Sequence, residues 1–294
     1  MHRSQQSDND LSLPRNSLKP KSHETLLNAI AHPLIIGHRG ASVLAPENTL
    51  ASFSRAITDG ADGFEFDVRL SRDQVPVVIH DADLRRTGNQ NLTVADLTAE
   101  QLSQIDVGSW FNLKFPQFAQ TEFEGERIPT LKCLLETFRV TETMLYLELK
   151  SHRRSLRGAV APVLELLQDL RLKSRTIIEC FDLEVLAEVK RLDQKMRTAA
   201  LFEPSLKQPL SSLNATTMLT RARDIGADEV ALHHRLVSAK TVATARQMNL
   251  SCVVWTVDDP RWLERGRALG LKALITNNPR TMSFQGSADQ RSIN

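Results

Sequence analysis

The chain has 294 residues, with 37 Lys+Arg against 35 Asp+Glu, a formal net charge of +2, and 41% hydrophobic and 24% charged residues. That composition excludes a fibrous or wholly disordered chain. The near-balanced charge gives no electrostatic footprint for a nucleic-acid partner, and no apolar run reaches the roughly 18 residues of a transmembrane segment.

Residues 1–32 mix Ser, Asn, Asp, Gln and Pro without sustained periodicity, and Leu11, Leu13 and Leu18 are scattered among them. The segment reads as a mobile arm. It lacks the continuous apolar stretch of a secretory leader, so a cytoplasmic location is expected. Cys133, Cys180 and Cys252 are odd in number and widely spaced, which suits a reducing compartment and predicts three buried, small apolar side chains.

From Pro33 onward, short apolar runs alternate with amphipathic stretches. The runs are Leu34–Gly37, Gly63–Asp67, Met144–Leu149, Thr176–Cys180, Thr198–Phe202, Glu229–Leu232, Cys252–Val257 and Lys272–Thr276. Helical periodicity falls at Glu47–Asp59, Thr130–Arg139, Leu156–Leu170, Leu183–Leu192, Leu213–Ile225, Ser238–Met248 and Pro260–Leu269. Strands and helices alternating through short connections demand parallel pairing, and eight such units close into an α/β TIM (β/α)8 barrel over residues 33–294. Runs such as Leu34-Ile35-Ile36 are apolar on both faces, as a buried parallel strand requires.

Val75–His80 breaks the count, because it follows the second run too closely for a parallel crossover. It reads as the return strand of a β-hairpin turning at Arg72-Asp73-Gln74. A turn centred between Asp73 and Gln74 places His80 opposite Asp67. The following residues, about 82–127, are too long for a loop and read as a small subdomain inserted above the barrel mouth. A short helix is expected there over Leu97–Ile105, with aromatics at Trp110, Phe111, Phe115, Phe118 and Phe123.

Active sites of such barrels lie at the C-terminal ends of the strands. Those ends carry His38-Arg39-Gly40, Glu65 with Asp67, His80-Asp81 and Glu148 with Lys150. The later ends carry Glu179-Cys180-Phe181, Glu203, His233-His234, Trp255-Thr256 and Asn277-Asn278. Residues two apart on a strand share a face, so Glu65 projects with Asp67 and Glu148 with Lys150. Three converging carboxylates repel unless a cation neutralises them, and an all-oxygen set favours Mg²⁺ or Ca²⁺ over zinc. A plain Glu148–Lys150 ion pair with Glu65 on a solvated rim is the bland alternative. His38 and His80 supply a proton-transfer pair, and the planar fork of Arg39 suits a phosphate oxygen. These groups together fit hydrolysis of a phosphodiester, whose alkoxide leaving group must be protonated.

The ordered set His38-Arg39-Gly40, Pro46-Glu47-Asn48-Thr49, Glu65-x-Asp67, His80-Asp81 and Glu148-x-Lys150 resembles the glycerophosphodiester phosphodiesterase family. Phe202-Glu203, Trp255-Thr256-Val257 and Ile275-Thr276-Asn277-Asn278-Pro279 extend the likeness over residues 35–280. The resemblance implies a TIM-barrel hydrolase that releases sn-glycerol 3-phosphate and an alcohol with the help of a divalent metal. Carried over, it implies Glu65, Asp67 and Glu148 as metal ligands and His38 and His80 as the acid/base pair. It places Arg39 and Lys150 on the phosphate and Trp255 as an apolar wall near the glycerol. Asn48 or Thr49 reads as a helix N-cap, and Glu47 as a residue that orients a neighbour.

This chain departs from the family at Cys180, where Ser is frequent, at Asn277, where Asp is frequent, and over Leu84–Gly88, which lacks the usual Thr-Thr pair. Two alternatives stand beside the main reading. A lysophospholipase-D-like hydrolase of a lipid diester would use the Trp110–Phe123 aromatics as an apolar entrance. A phosphodiester-binding barrel with little catalysis would need neither histidine.

Overall fold

Strand parity builds the molecule: successive side chains of each strand enter two different apolar layers. The computed structural model describes residues 32–150, 157–204 and 215–283. The arm expected before Pro33 lies outside the described residues except for His32. The strands are β1 (Leu34–His38), β2 (Gly63–Leu70), β3 (Pro76–Val78), β4 (Met144–Leu149), β5 (Thr176–Cys180), β6 (Arg197–Phe202), β7 (Glu229–His233), β8 (Ser251–Trp255) and β9 (Ala273–Thr276). Eight of them pair in parallel in the order β1-β2-β4-β5-β6-β7-β8-β9, and β9 closes on β1. This is the TIM barrel that the alternation of runs predicts.

Inward residues Ile36, Tyr146, Ile177, Ala199, Ala231, Val253 and Ile275 fill the barrel. Their neighbours Ile35, Phe64, Phe66, Leu145, Leu147 and Ile178 face the outer helices. The same parity turns His38, Glu65, Asp67 and Glu148 into the barrel mouth.

Helix α1 (Leu50–Thr58) starts later than its periodicity suggests, because Thr49 is the N-cap and accepts a bond from the Ser52 backbone N–H at 3.2 Å. Its residue Phe53 stacks on Phe64 with ring centroids 4.6 Å apart and meets Phe66 and Phe138 edge-on. Six more helices follow the barrel rhythm: α4 (Leu131–Thr137), α5 (Arg157–Asp169), α6 (Leu183–Leu192), α7 (Ala215–Asp224), α8 (Ala239–Gln247) and α9 (Arg261–Leu269). Ahead of α4, the stretch after the hairpin carries α2 (Ala99–Leu102) and α3 (Ser109–Lys114), and after β9 comes α10 (Pro279–Met282). The expected helix over Leu97–Ile105 shrinks to α2, closed by a Thr98–Gln101 capping box.

Strand β3 does form an antiparallel hairpin with β2, but one residue out of the expected register. Val68 faces Val78 and Arg69 faces Val77, so Asp67 pairs with Ile79, whose N–H donates to the Asp67 carbonyl at 2.9 Å, and not with His80. The loop is the cause. Arg72-Asp73-Gln74 is a three-residue turn with Gln74 in the left-handed region at φ 61°, fastened by Ser71 Oγ on Asp73 at 2.6 Å. A turn of this length shifts the pairing by one.

Val77 and Ile79 then pack with Leu84, Val94, Leu102, Ile105, Val107 and Ile128 in a small separate core. Cys133 is a second correction: it is exposed on α4, whereas Cys180 and Cys252 are buried. No helix among the described residues is long and apolar enough to cross a membrane.

Removing the Phe53 ring leaves a cavity that three other aromatic rings line. Phe53→Ala is expected to lower the unfolding free energy by about 3–5 kcal/mol, read from urea denaturation. A loss under half that size would show that the outer layer repacks freely.

Candidate active site

Glu65, Asp67 and Glu148 each offer an oxygen, and these oxygens lie within 4.8 Å of one another in a buried cluster. Parity on β2 and β4 delivers them, since Asp67 sits directly beside Glu148 in the parallel register. Glu179 on β5 is next in the row and almost fully buried. Four acids therefore crowd one desolvated region, facing Arg39 and Lys150.

The consequences differ from acid to acid. Burial, then Asp67, Glu179 and Glu148, push the Glu65 carboxyl well above its ordinary range. Burial and Asp67 raise Glu148 to about 7. Glu179 is pushed up by burial, Glu148 and Glu229. Burial would raise Asp67 too, but Lys150 and Arg39 outweigh it and hold that carboxyl well below the usual range.

Lys150 Nζ donates to Glu148 Oε2 at 2.7 Å and lies 2.9 Å from Asp67 Oδ1. Arg39 Nε lies 3.2 Å from Asp67 Oδ2, while its backbone N–H donates to Glu65 Oε2 at 2.9 Å. Glu65 Oε1 is buried with no hydrogen-bond partner among the described residues. An orphaned carboxylate oxygen inside an all-oxygen cluster is what a hard divalent cation would satisfy, so this donor set fits Mg²⁺ or Ca²⁺.

The two histidines come from different elements, His38 from the end of β1 and His80 from just beyond β3. His38 ends β1, with Nε2 3.9 Å from Glu65 Oε2 and Nδ1 2.6 Å from Asn277 Oδ1. The Asn277 amide is held by Asp258, which accepts from Asn277 Nδ2 and from its backbone N–H, each at 2.8 Å. The oxygen facing His38 can only accept, so Nδ1 carries the proton and Nε2 presents a lone pair. Burial and the neighbouring Arg39 lower the His38 pKa to about 4, which keeps the ring neutral.

His80 follows the hairpin. Its Nδ1 bonds Asp81 Oδ1 at 2.7 Å, and Arg69 Nε donates to its carbonyl at 2.7 Å. His80 shares a cleft of about 390 Å³ with Arg69, Glu148, Lys150, Phe181 and Asp182.

Trp255 stands at the rim, its indole N–H donating to the Ala231 carbonyl at 3.0 Å and its ring edge-on to Phe181 and His233. His233 accepts from the Arg235 N–H at 3.3 Å and lies beside His234 as a rim residue.

Several residues have partners that the motifs alone do not reveal. Asn48 is not a helix cap: it sits at φ 58°, donates from Nδ2 to Asp67 Oδ2 at 2.7 Å, and accepts from the Asp67 N–H at 3.2 Å. Asn tolerates the left-handed region better than other non-glycine residues, and this is the signal that an isolated Asn before a helix carries. Glu47 accepts from Arg39 Nη1 at 2.8 Å and from both Arg86 Nη atoms. Glu179, Asp81 and Asn277 stand at strand ends in the sequence, but only the fold shows their partners.

The sequence profile of the Glycerophosphoryl diester phosphodiesterase family matches residues 38–281. A glycerophosphodiester phosphodiesterase from Caldanaerobacter subterraneus subsp. tengcongensis is 31% identical over 251 residues, 85% of this chain and 96% of the relative. One from Bacillus subtilis is 29% identical over 252 residues, 84% of each chain. Among solved structures, an Oleispira antarctica phosphodiesterase in complex with the product sn-glycerol-3-phosphate superposes with a TM-score of 0.74 at 26% identity, covering 88% of this chain and 97% of that one. Barrel, matched span and identity agree, and this chain belongs to the glycerophosphodiester phosphodiesterase family as a phosphoric diester hydrolase.

Proposed function

We propose that the enzyme hydrolyses glycerophosphodiesters to sn-glycerol 3-phosphate and an alcohol in a divalent-metal-dependent reaction, with His38 as general base and His80 as general acid. The observation that carries this reading is the unequal wiring of the two imidazoles. His38 is bonded through Nδ1 to a carboxamide oxygen, stays neutral, and keeps Nε2 free to take a proton from the attacking oxygen. His80 is bonded through Nδ1 to the Asp81 carboxylate, which fixes the ring and leaves Nε2 turned away from Asp81 for donation to the departing alkoxide. Its place in the cleft suits this task, because the leaving alcohol needs room that the acid also reaches.

Arg39 and Lys150 grip the non-bridging phosphate oxygens, and their contacts with Asp67 fix the direction from which they do so. Trp255 offers a flat apolar wall to the glycerol carbons, braced by Phe181 and His233. Glu65, Asp67 and Glu148 would hold the Mg²⁺ or Ca²⁺, which when bound neutralises charge on a phosphate oxygen. The product seen in the Oleispira antarctica relative supports sn-glycerol 3-phosphate as the released half.

A lipid diester is not favoured. Phe111 and Phe123 pack inward with Ala45 as a local core, and Trp110 is covered by Arg86 and Lys114, so these aromatics do not make an apolar entrance.

Glycerophosphocholine turnover, followed as released glycerol 3-phosphate, tests the assignment. Replacing either histidine by Ala is expected to reduce kcat by about 100-fold or more. The His80→Ala loss is expected to shrink when choline is replaced by p-nitrophenol, which leaves without protonation, whereas the His38→Ala loss persists on both esters. Near-normal turnover in both variants would overturn the reading.

The carboxylate cluster has its own test. EDTA should abolish activity, and Mg²⁺ or Ca²⁺ should restore it. Mn²⁺ binding followed by electron paramagnetic resonance should weaken at least about 10-fold in Glu65→Gln. Full activity after exhaustive chelation would remove the metal from the mechanism.

A further inference from the structure

Arg86 lies in the segment just after the hairpin, with its side chain 38% exposed. Its guanidinium spans two acids. Nη1 and Nη2 grip Glu47 Oε2 and Oε1 at 2.6 and 2.7 Å, and Nε donates to Asp81 Oδ2 at 2.6 Å. Each acid passes the constraint on: Glu47 Oε1 also takes Arg39 Nη1 at 2.8 Å, and Asp81 Oδ1 takes His80 Nδ1 at 2.7 Å. The bonds form one chain, Arg39–Glu47–Arg86–Asp81–His80, joining the end of β1, the entry to α1 and the end of the hairpin. The Trp110 ring of α3 lies 5.5 Å from the guanidinium carbon and covers it.

We propose that Arg86 is a positioning residue for hydrolysis: by fixing Glu47 and Asp81 at one separation, it holds the proton donor His80 and the phosphate-gripping Arg39 in register across the acid cluster. The inference rests on the roles of His80 and Arg39 proposed above.

The chemistry of the bracket requires arginine. Glu47 and Asp81 are both anions, and a fork with fixed N–H directions can serve the two at once. A lysine supplies one point charge on a flexible stem and cannot bond three oxygens at those angles. Without the fork, the acids repel, Asp81 is free to turn from His80, and Glu47 draws Arg39 away from Asp67. Partly exposed ion pairs add little to fold stability, so the effect of this network falls on geometry at the reacting phosphate more than on melting temperature.

The test uses the metal-loaded enzyme and two diesters of glycerol 3-phosphate, one with choline and one with p-nitrophenol as leaving group. Arg86→Ala and Arg86→Lys are compared with His80→Ala, and thermal unfolding is followed for each. In Arg86→Ala, kcat on the choline ester is expected to fall about 10- to 100-fold while kcat on the p-nitrophenyl ester changes little. KM is expected to rise on both esters through the loosened Arg39. Added guanidinium is expected to restore part of the choline-ester activity of Arg86→Ala, and Arg86→Lys, which keeps charge and bulk, is expected to retain the same asymmetry.

Equal kcat losses on both esters, or unchanged kinetics on both, would overturn the inference. Parallel data on His80→Ala separate the two levels. If His80→Ala shows the leaving-group asymmetry and the Arg86 variants do not, the inference alone falls. If His80→Ala itself lacks it, the acid assignment falls first and the inference with it.

Discussion

Excess negative charge in a desolvated barrel mouth is the constraint around which the rest of the site is arranged. Glu65, Asp67, Glu148 and Glu179 are all buried there, and the cations that share the space include Arg39 and Lys150, with Arg69 nearby in the cleft. Like charges at such separations cannot all ionise in a medium of low polarity, so three of the four carboxyls are pushed upward and Asp67 alone is pulled down. A fold built for stability alone would not place these acids in adjacent strands. The arrangement makes sense if the missing charge comes from a divalent ion and from the cationic groups beside it, for which we propose contacts with the phosphate.

Local backbone choices serve this cluster. Arg39 and Asn48 both have left-handed φ values, 55° and 58°, and the Asn48 N–H donates to the Arg39 carbonyl at 3.1 Å. Such conformations cost roughly 1–3 kcal/mol apiece and persist where surrounding bonds fix them. Here they turn the Arg39 N–H toward Glu65 and the Asn48 amide toward Asp67. Gly40 completes the bend at φ 86°, where a β-carbon would stand 2.1 Å from Ser52 Oγ. The HRG and PENT stretches are thus two halves of one support, joined by the Ser52 hydroxyl donating to the Arg39 carbonyl at 2.6 Å.

Legibility in the sequence follows from how local each feature is. Apolar runs mark the barrel strands to within a residue or two at most ends, because a parallel strand buried on both faces must be apolar along its length. Period-two spacing places Glu65 with Asp67 and Glu148 with Lys150 on the inner face, since parity needs no tertiary information. The hairpin register does need it: a two-residue and a three-residue turn look alike at Arg72-Asp73-Gln74, and the left-handed Gln74 decides between them. The cap expected at Asn48 or Thr49 falls on Thr49, and Asn48 shares the reading because it too stands just before α1. Its true partner, Asp67, lies 19 residues away and becomes visible only when β1 and β2 are adjacent. Glu179 is hidden for a similar reason, as one glutamate at the end of an apolar strand until β4 supplies Glu148 beside it.

The two imidazoles are mounted differently, and the mounting suits the work proposed for each. His38 belongs to a barrel strand paired on both sides, and its ring is tied to Asn277 at the end of β9, itself held by Asp258. A base that must accept a proton from an oxygen at one defined point benefits from such rigidity. His80 stands beyond the last hairpin pair, where no barrel strand flanks it. Its position comes instead from Arg69 on its carbonyl, Asp81 on its ring, and the apolar core that Val77 and Ile79 share with the inserted segment. The one-residue register shift makes this necessary, because Asp67 is paired with Ile79 and His80 must reach the cluster from outside the ladder. The hairpin and the segment behind it therefore substitute for strand pairing at His80, and the ion chain through Asp81 and Arg86 ties that substitute back to the barrel at Glu47.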